Sequence, residues 1–288
     1  MKAIPKMVWR VRLAELLARA FDVGSSVMAQ KVATTGRSLH DRPDSIMTPV
    51  SEWTTKELED RILWAKDGVL ALNKCPDLPT TGRSLEDPDC LQWRLIQHMG
   101  SMVWSAHQLD ADTSGVCMFT TEKRLVEPLK RAMSGPDSAK VYTAFVRGQS
   151  DWDVMHCDAP VGPIDERSLG VTDTGKSARS QITVLNRFPM GPHPGGDDSL
   201  PMEGASEWLV RIETGRTHQI RIHASHLGHP LLGEEWYSDP PCKVHPRQAL
   251  HAGQLQLGPP FHKEVLAPLP SDLVQLRQRL SGGHFTSS

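Results

Sequence analysis

Thr214-Gly215-Arg216-Thr217-His218-Gln219-Ile220-Arg221-Ile222-His223 decides how this chain of 288 residues is read. It is the densest polar segment of the sequence and continues as Ala224-Ser225-His226-Leu227-Gly228-His229-Pro230. Ile220, Ala224 and Leu227 fall at i, i+4 and i+7, the spacing of one helix face. Thr217 stands where a capping hydroxyl is expected, and Gly228 followed by Pro230 closes the helix. The partial positive charge at the start of such a helix suits a phosphate or a carboxylate. Arg221 lies one helical position from the apolar face. Buried there, its guanidinium needs an acidic partner, and Asp110 is the candidate.

Asp110 belongs to His107-Gln108-Leu109-Asp110-Ala111-Asp112-Thr113-Ser114-Gly115, which leads into the apolar run Val116-Cys117-Met118-Phe119. Two carboxylates at a turn feeding a buried strand are costly to hold unless hydrogen bonds or a cation satisfy them. A polar β-turn is the plainer reading of the same residues. This stretch alone does not separate the two.

Outward from these segments the pattern is that of an α+β domain. Strands are expected at 69–72, 116–120, 141–146, 181–188 and 207–213, where β-branched and aromatic residues concentrate. A helix is expected over 123–133, with Leu125, Val126, Leu129 and Ala132 on one stripe and Gly135-Pro136 as its stop. Residues 189–206 are dense in Gly and Pro and read as a surface loop. Strands that follow one another with few intervening helices favour a largely antiparallel sheet over a doubly wound one. The chain divides into an N-terminal extension and linker (1–60), a main folded domain (61–276) and a C-terminal tail (277–288).

Composition narrows the class. Hydrophobic residues make up 39% and charged residues 23%, with a formal net charge of −2, so no whole-surface basic field exists for a polyanion. A nucleic-acid partner would need a local basic groove. The five cysteines are scattered without Cys-x-x-Cys spacing, which fits reduced thiols in an intracellular compartment. No apolar run approaches the ~20 residues of a membrane helix. Residues 1–39 are basic, with helix-like apolar spacing at Leu13, Leu16, Leu17, Ala20 and Phe21. That suits an RNA-binding appendage, an organellar transit peptide or a helix packed on the main domain. The cytoplasm is the expected compartment, with a mitochondrion or other organelle as the alternative. Thr-Thr-Gly-Arg-Ser-Leu occurs twice, at 34–39 and 80–85, too few copies for a repeat fold.

His223, His226 and His229 repeat every third residue, as metal ligands could. Gly228 and Pro230 break the helix before His229, however, and no Cys or acidic group completes a ligand set. Ser/His/Asp hydrolysis is disfavoured because the chain has no Gly-x-Ser-x-Gly elbow.

Together the segments resemble the RluA-type family of RNA pseudouridine synthases. The family's His-Arg-Leu-Asp-x-x-Thr-Ser-Gly is similar to 107–115, and its Lys-x-Tyr-x-Ala-x-Val-x-Gly strand to 140–148. Its Gly-Lys-x-Ala-x-Thr/Ser element is similar to Gly175–Ser180, and its Thr-Gly-Arg-Thr-His-Gln-Ile-Arg-x-His block is complete at 214–223. Asn73-Lys74-x-Pro76, Leu227-Gly228-His229-Pro230 with Gly233, Arg247-Gln248-Ala249-Leu250-His251-Ala252 and Ala267-Pro268-Leu269-Pro270 also fit. The resemblance covers about 65–275.

What it implies is a pseudouridine synthase fold with a central cleft in a bent, mixed and largely antiparallel sheet. Asp110 would be the nucleophile toward a flipped uridine, Arg221 the cation that keeps it charged, and Tyr142 the ring stacked on uracil. His107, Gln108, Thr113, Lys176, Arg216, His218, Gln219 and Leu250 would contact the RNA. Lys140, Arg147, Lys176, Arg179 and Arg216 would hold phosphates. The substrate would be rRNA or tRNA, acted on by a monomer with no cofactor, no metal, no membrane and no obligatory protein partner. A catalytically silent RNA-binding protein on the same fold is the alternative.

The chain departs from the family pattern in two places. Gln108 replaces the Arg that helps displace the base, which implies altered RNA handling. Cys75 and Asp77 replace the Pro and Gly of Lys-Pro-x-Gly, which puts the geometry of that loop in question.

Overall fold

The computed structural model describes residues 55–84, 87–189 and 203–282. After a short helix α1 (Thr55–Glu59) come strands β1 (Ile62–Lys66) and β2 (Val69–Lys74), helix α2 (Leu91–Met99), and strands β3 (Trp104–Ser105) and β4 (Ser114–Thr120). A 3-10 turn (Lys123–Leu125) opens helix α3 (Val126–Ala132), and strand β5 (Ala139–Arg147) follows. Strands β6 (Val154–Cys157), β7 (Val161–Pro163), β8 (Leu169–Val171), β9 (Ser180–Phe188) and β10 (Ala205–Ile212) lead to helix α4 (Gln219–His226). Strands β11 (Leu250–Leu257) and β12 (Lys263–Leu266) and helix α5 (Ser271–Leu280) complete the order.

The main sheet runs β1-β2-β4-β11-β5-β10-β9-β6, with β12 added on β11 and β3 on β4; β7 and β8 form a separate pair. Every pairing but one is antiparallel. The exception joins β4 to β11, His251 opposite Ser114 and Ala252 opposite Gly115. That parallel contact fuses the β1-β2-β4 half to the β5-β10-β9-β6 half. It therefore sets the turn leading into β4 at the middle of the sheet. Gly115 makes the contact possible: its φ is +114°, and a Cβ there would lie 2.2 Å from the Ala252 carbonyl oxygen.

Both faces of this half of the sheet are covered, so its strands read as continuous apolar runs. In β2 and β4, Leu70, Leu72, Cys117 and Phe119 enter one core, while Val69, Ala71, Val116 and Met118 enter the other. Tyr142, Ala144 and Val146 of β5 and Trp208, Val210 and Ile212 of β10 extend the first core. Helix α4 packs on that same face through Ile220 and Ala224.

The expected strands all form, and the helix expected over 123–133 starts one 3-10 turn before its α-helical part. Of the loop expected at 189–206, residues 190–202 lie outside the described residues. Two expected boundaries move. The linker assigned to 1–60 ends in α1, whose Leu58 is buried in the first core. The tail assigned to 277–288 begins inside α5, which buries Leu273, Leu276 and Leu280 against Phe145 and Phe188. Their i, i+3 and i+7 spacing fixes the helix past the expected domain end. The first Thr-Thr-Gly-Arg-Ser-Leu copy, at 34–39, lies outside the described residues, as do the basic segment 1–39 and most of the linker.

Candidate active site

The turn before β4 is held from three sides. Lys74, at the end of β2 and 1% exposed, donates from Nζ to the carbonyls of Cys75, Leu78 and Ala111 at 2.7–2.8 Å. Burial pulls its pKa down to about 8. Thr80 closes on Leu109, its Oγ1 accepting from the Leu109 N–H and donating to the Leu109 carbonyl, both at 3.0 Å. Arg247 donates from Nη1 to the Asp112 carbonyl at 2.8 Å. Between these anchors Asp110 is left with 26% of its side chain exposed, facing a cavity of about 550 Å³. Thr80 and Thr81, which open the second Thr-Thr-Gly-Arg-Ser-Leu copy, thus line this cavity. Asp77, which stands where the family pattern has Gly, adopts φ +55°. The loop keeps the left-handed turn that the Gly would provide, since Asp tolerates that region.

Arg221 of α4 approaches Asp110 from the opposite side, with Nη1 3.4 Å from Oδ2. Its main partner is a residue without an assigned role in the sequence reading. Glu234, fully buried, accepts from Arg221 Nε at 2.8 Å and Nη2 at 2.7 Å. Burial opposes both charges, but the pairing prevails: the Glu234 carboxyl lies below its ordinary range and the Arg221 guanidinium above its own. Glu234 also accepts from the Trp236 N–H at 3.0 Å. A forked Arg–carboxylate pair fixes the guanidinium plane, so the third nitrogen is aimed at Asp110.

The helix starts differently from expectation. The residue preceding α4 is His218 rather than Thr217, and it sits at φ +54° with no side-chain cap. Histidine is among the few non-glycine residues enriched in that region. The turn sends the imidazole toward Asp110, with Nε2 3.7 Å from Oδ1, while Nδ1 meets the Tyr237 hydroxyl at 2.7 Å. Burial holds His218 below its ordinary pKa, which leaves it neutral near pH 7. Gln219 is consumed in tying this turn together: Oε1 accepts from Thr214 Oγ1 and the Arg216 N–H, and Nε2 donates to the Arg179 carbonyl and Ser180 Oγ.

Tyr142 presents its ring to the cavity from β5. Burial, with Asp110's charge adding to it, raises its phenol pKa, so the hydroxyl stays protonated through neutral pH. Asp112 does not border the cavity; its carbonyl is held by Arg247 and its carboxyl pKa is pushed up by burial. The geometry therefore separates the two acids that the composition of the turn alone left open.

Most of the expected contacts converge. His107, Gln108, Asp110, Thr113, Tyr142, Arg216, His218, Gln219, Arg221 and Leu250 all border the cavity; Lys176 does not. His107 and Thr113 are committed to the scaffold. His107 Nε2 accepts from the Met118 N–H at 3.1 Å, and Thr113 Oγ1 accepts from Gln248 Nε2 at 3.0 Å. Gln248 also lies 3.4 Å from Asp110 Oδ2. Gln108 donates from Nε2 to Thr81 Oγ1 at 2.8 Å at the cavity mouth. Among the expected phosphate contacts, Arg147 and Arg179 pair with Glu203 and Glu213. His223 and His229 do not converge: His223 of α4 bonds Ser180 Oγ and the Ala159 carbonyl, and His229, beyond the helix, the Arg147 carbonyl. Glu234, Gln248, Tyr237 and Lys74 carried no assigned role. For Gln248, its place in the Arg247–Ala252 block was an available signal.

Comparison with known proteins gives the same answer as the geometry. The RNA pseudouridylate synthase family matches residues 68–226. The dual-specificity RNA pseudouridine synthase RluA of Yersinia pestis is 31% identical over 211 residues, covering 70% of this chain and 96% of that protein. Ribosomal large subunit pseudouridine synthase D of Pseudomonas aeruginosa is 29% identical over 250 residues, covering 78% and 73%. An uncharacterized RNA pseudouridine synthase of Chloroflexus aurantiacus is 37% identical over 60% of this chain, and the match spans about half of that relative, 52%. Human RNA pseudouridylate synthase domain containing 4 superposes with a TM-score of 0.62 at 21% identity, covering 78% of this chain and 94% of that one. Its domain containing 1 counterpart gives 0.57 at 24%, covering 76% and 93%; both show the shared fold. With the motif residues gathered at one cavity and the match running from β2 through α4, the chain belongs to the RNA pseudouridylate synthase family, in its RluA-type branch.

Proposed function

We propose that this protein isomerises uridine to pseudouridine in structured RNA, rRNA or tRNA, with Asp110 as the nucleophile. The observation that carries the reading is the order of charges: Glu234 fixes Arg221, and Arg221 meets a partly shielded Asp110 at the wall of a cavity of nucleotide size. A carboxylate partly shielded from water and met by a fixed guanidinium suits a nucleophile toward C1′.

The target base must leave its stack to reach Asp110. Asp110 Oδ bonds to C1′, or assists departure, as the N1–C1′ bond breaks and its electron pair leaves with uracil. The ring turns and C5 bonds to C1′, displacing the carboxylate. C5 then loses its proton and N1 takes one up, so no atom is gained or lost. Tyr142 would stack on the ring during the turn and take part in the late proton transfer. Arg216 at the mouth, with Lys140 and Lys176, meets the backbone phosphates.

The five cysteines are free, four of them buried, which supports a reducing compartment such as the cytoplasm. A silent RNA-binding protein on this fold would have no use for the Asp110–Arg221–Glu234 arrangement. The test is direct: unmodified rRNA and tRNA transcripts are incubated with the purified protein and digested to nucleosides for mass spectrometry. Pseudouridine at discrete sites is expected; none on any transcript or cellular RNA contradicts the reading.

A further inference from the structure

Trp236 leaves 70% of its surface exposed, the most open large apolar side chain among the described residues. It is nevertheless firmly placed. Its N–H is fixed on Glu234, its ring lies 5.0 Å from the Arg221 guanidinium carbon, and its centroid is 5.5 Å from the His218 ring. His218 in turn lies 3.7 Å from Asp110. The indole thus stands one side chain out from the nucleophile, backed by two nitrogen-rich groups and open on its remaining surface. It does not border the cavity, so it is not a wall for the base inside. Arg216 borders the cavity and adds positive charge there.

A solvent-facing aromatic ring backed by a guanidinium has the chemistry that stacks an unpaired nucleobase, a contact indifferent to base identity. We propose that Trp236 is a stacking platform for the nucleobase adjacent to the flipped uridine, a base-binding subsite outside the cavity. Resting on the RNA isomerase reading, this subsite would hold the strand open while the target turns over at Asp110.

The test uses the full chain and a fluorescent uridine heptamer, followed by anisotropy, with wild type, Trp236→Ala and Trp236→Phe. A second heptamer lacks the bases on either side of its central uridine. Stacking predicts that Trp236→Ala binds the first heptamer about 10-fold more weakly, while Trp236→Phe stays within about threefold of wild type. It also predicts that wild type and Trp236→Ala bind the base-free heptamer equally. Equal binding of the first heptamer by wild type and Trp236→Ala overturns the proposal. So does an equal loss on both heptamers, or no measurable binding by wild type. Unchanged RNA binding with self-association that depends on Trp236 would assign the indole to a protein contact instead. Pseudouridine formation is followed separately on transcripts. The stacking signature without isomerisation removes the isomerase reading and leaves the platform, whereas isomerisation without the signature removes the platform alone.

Discussion

Arg221 divides its guanidinium between two carboxylates, forking Nε and Nη2 onto buried Glu234 and reaching Asp110 with Nη1 at 3.4 Å. Glu234 is thus the element that orients the cation, and Asp110 receives a directed donor rather than a mobile charge. Removing one partner of a buried pair leaves the other uncompensated, at a cost of about 3–5 kcal/mol.

Glu234→Ala is therefore expected to lower stability by that amount in urea unfolding and to abolish measurable turnover. A double replacement, Glu234→Leu with Arg221→Met, should recover much of the stability and none of the turnover. Recovery of turnover in the double variant would contradict the role given to Arg221.

Lys74→Met should leave three carbonyls without their donor and loosen the segment carrying Ala111. Losing a charged hydrogen-bond donor in the core costs roughly 2–5 kcal/mol. A fall in kcat at least tenfold, with Asp110 and Arg221 untouched, is expected beside the urea shift. Unchanged kcat and midpoint would show that Asp110 is positioned by other contacts.

Gly115→Ala tests the parallel seam. The added methyl would meet the Ala252 backbone at a φ that disfavours any side chain. Strained backbone of this kind costs ~1–3 kcal/mol before the clash is counted. The variant should be insoluble or strongly destabilised, as read by thermal unfolding. A melting temperature within ~2 °C of wild type would contradict the seam.

What the sequence made legible was mostly short-range. The strands around 69–72, 116–120 and 141–146 announce themselves by composition, and Asp110 and Arg221 by the chemistry each demands. Glu234 lies in a Gly-rich turn with no periodicity, so nothing local marks it as Arg221's principal partner. The Ser114–His251 pairing joins residues 137 positions apart, and only the assembled sheet reveals that it is parallel. Helix α2 went unread because its cap is the thiol of Cys90, which accepts from the Trp93 N–H, where a hydroxyl or carboxylate is the usual sign. At α4 the residue before the helix is His218, which takes a left-handed turn to face Asp110, and Thr217 loses the capping position.

Acid stability should report His251. Fully buried, with Nδ1 against Ser114 Oγ at 2.9 Å and Nε2 near the Ala267 carbonyl, it is held by burial at a pKa of about 4. The unfolded imidazole takes up its proton near 6.5. Between those values the unfolded state binds more protons, so stability is full above pH 6.5 and falls as pH drops toward 4, by about 3 kcal/mol. Urea unfolding at pH 7 and pH 4.5 should show this loss in wild type and a smaller one in His251→Gln. Equal losses in both would contradict the assignment.

The most direct measurement is pseudouridine formation by Asp110→Asn on the transcript that the wild-type protein modifies. The substitution preserves shape and removes the charge that faces Arg221 and His218. Isomerisation should disappear while the dissociation constant for the same RNA stays within about threefold. Turnover within tenfold of wild type would show that Asp110 is not the nucleophile.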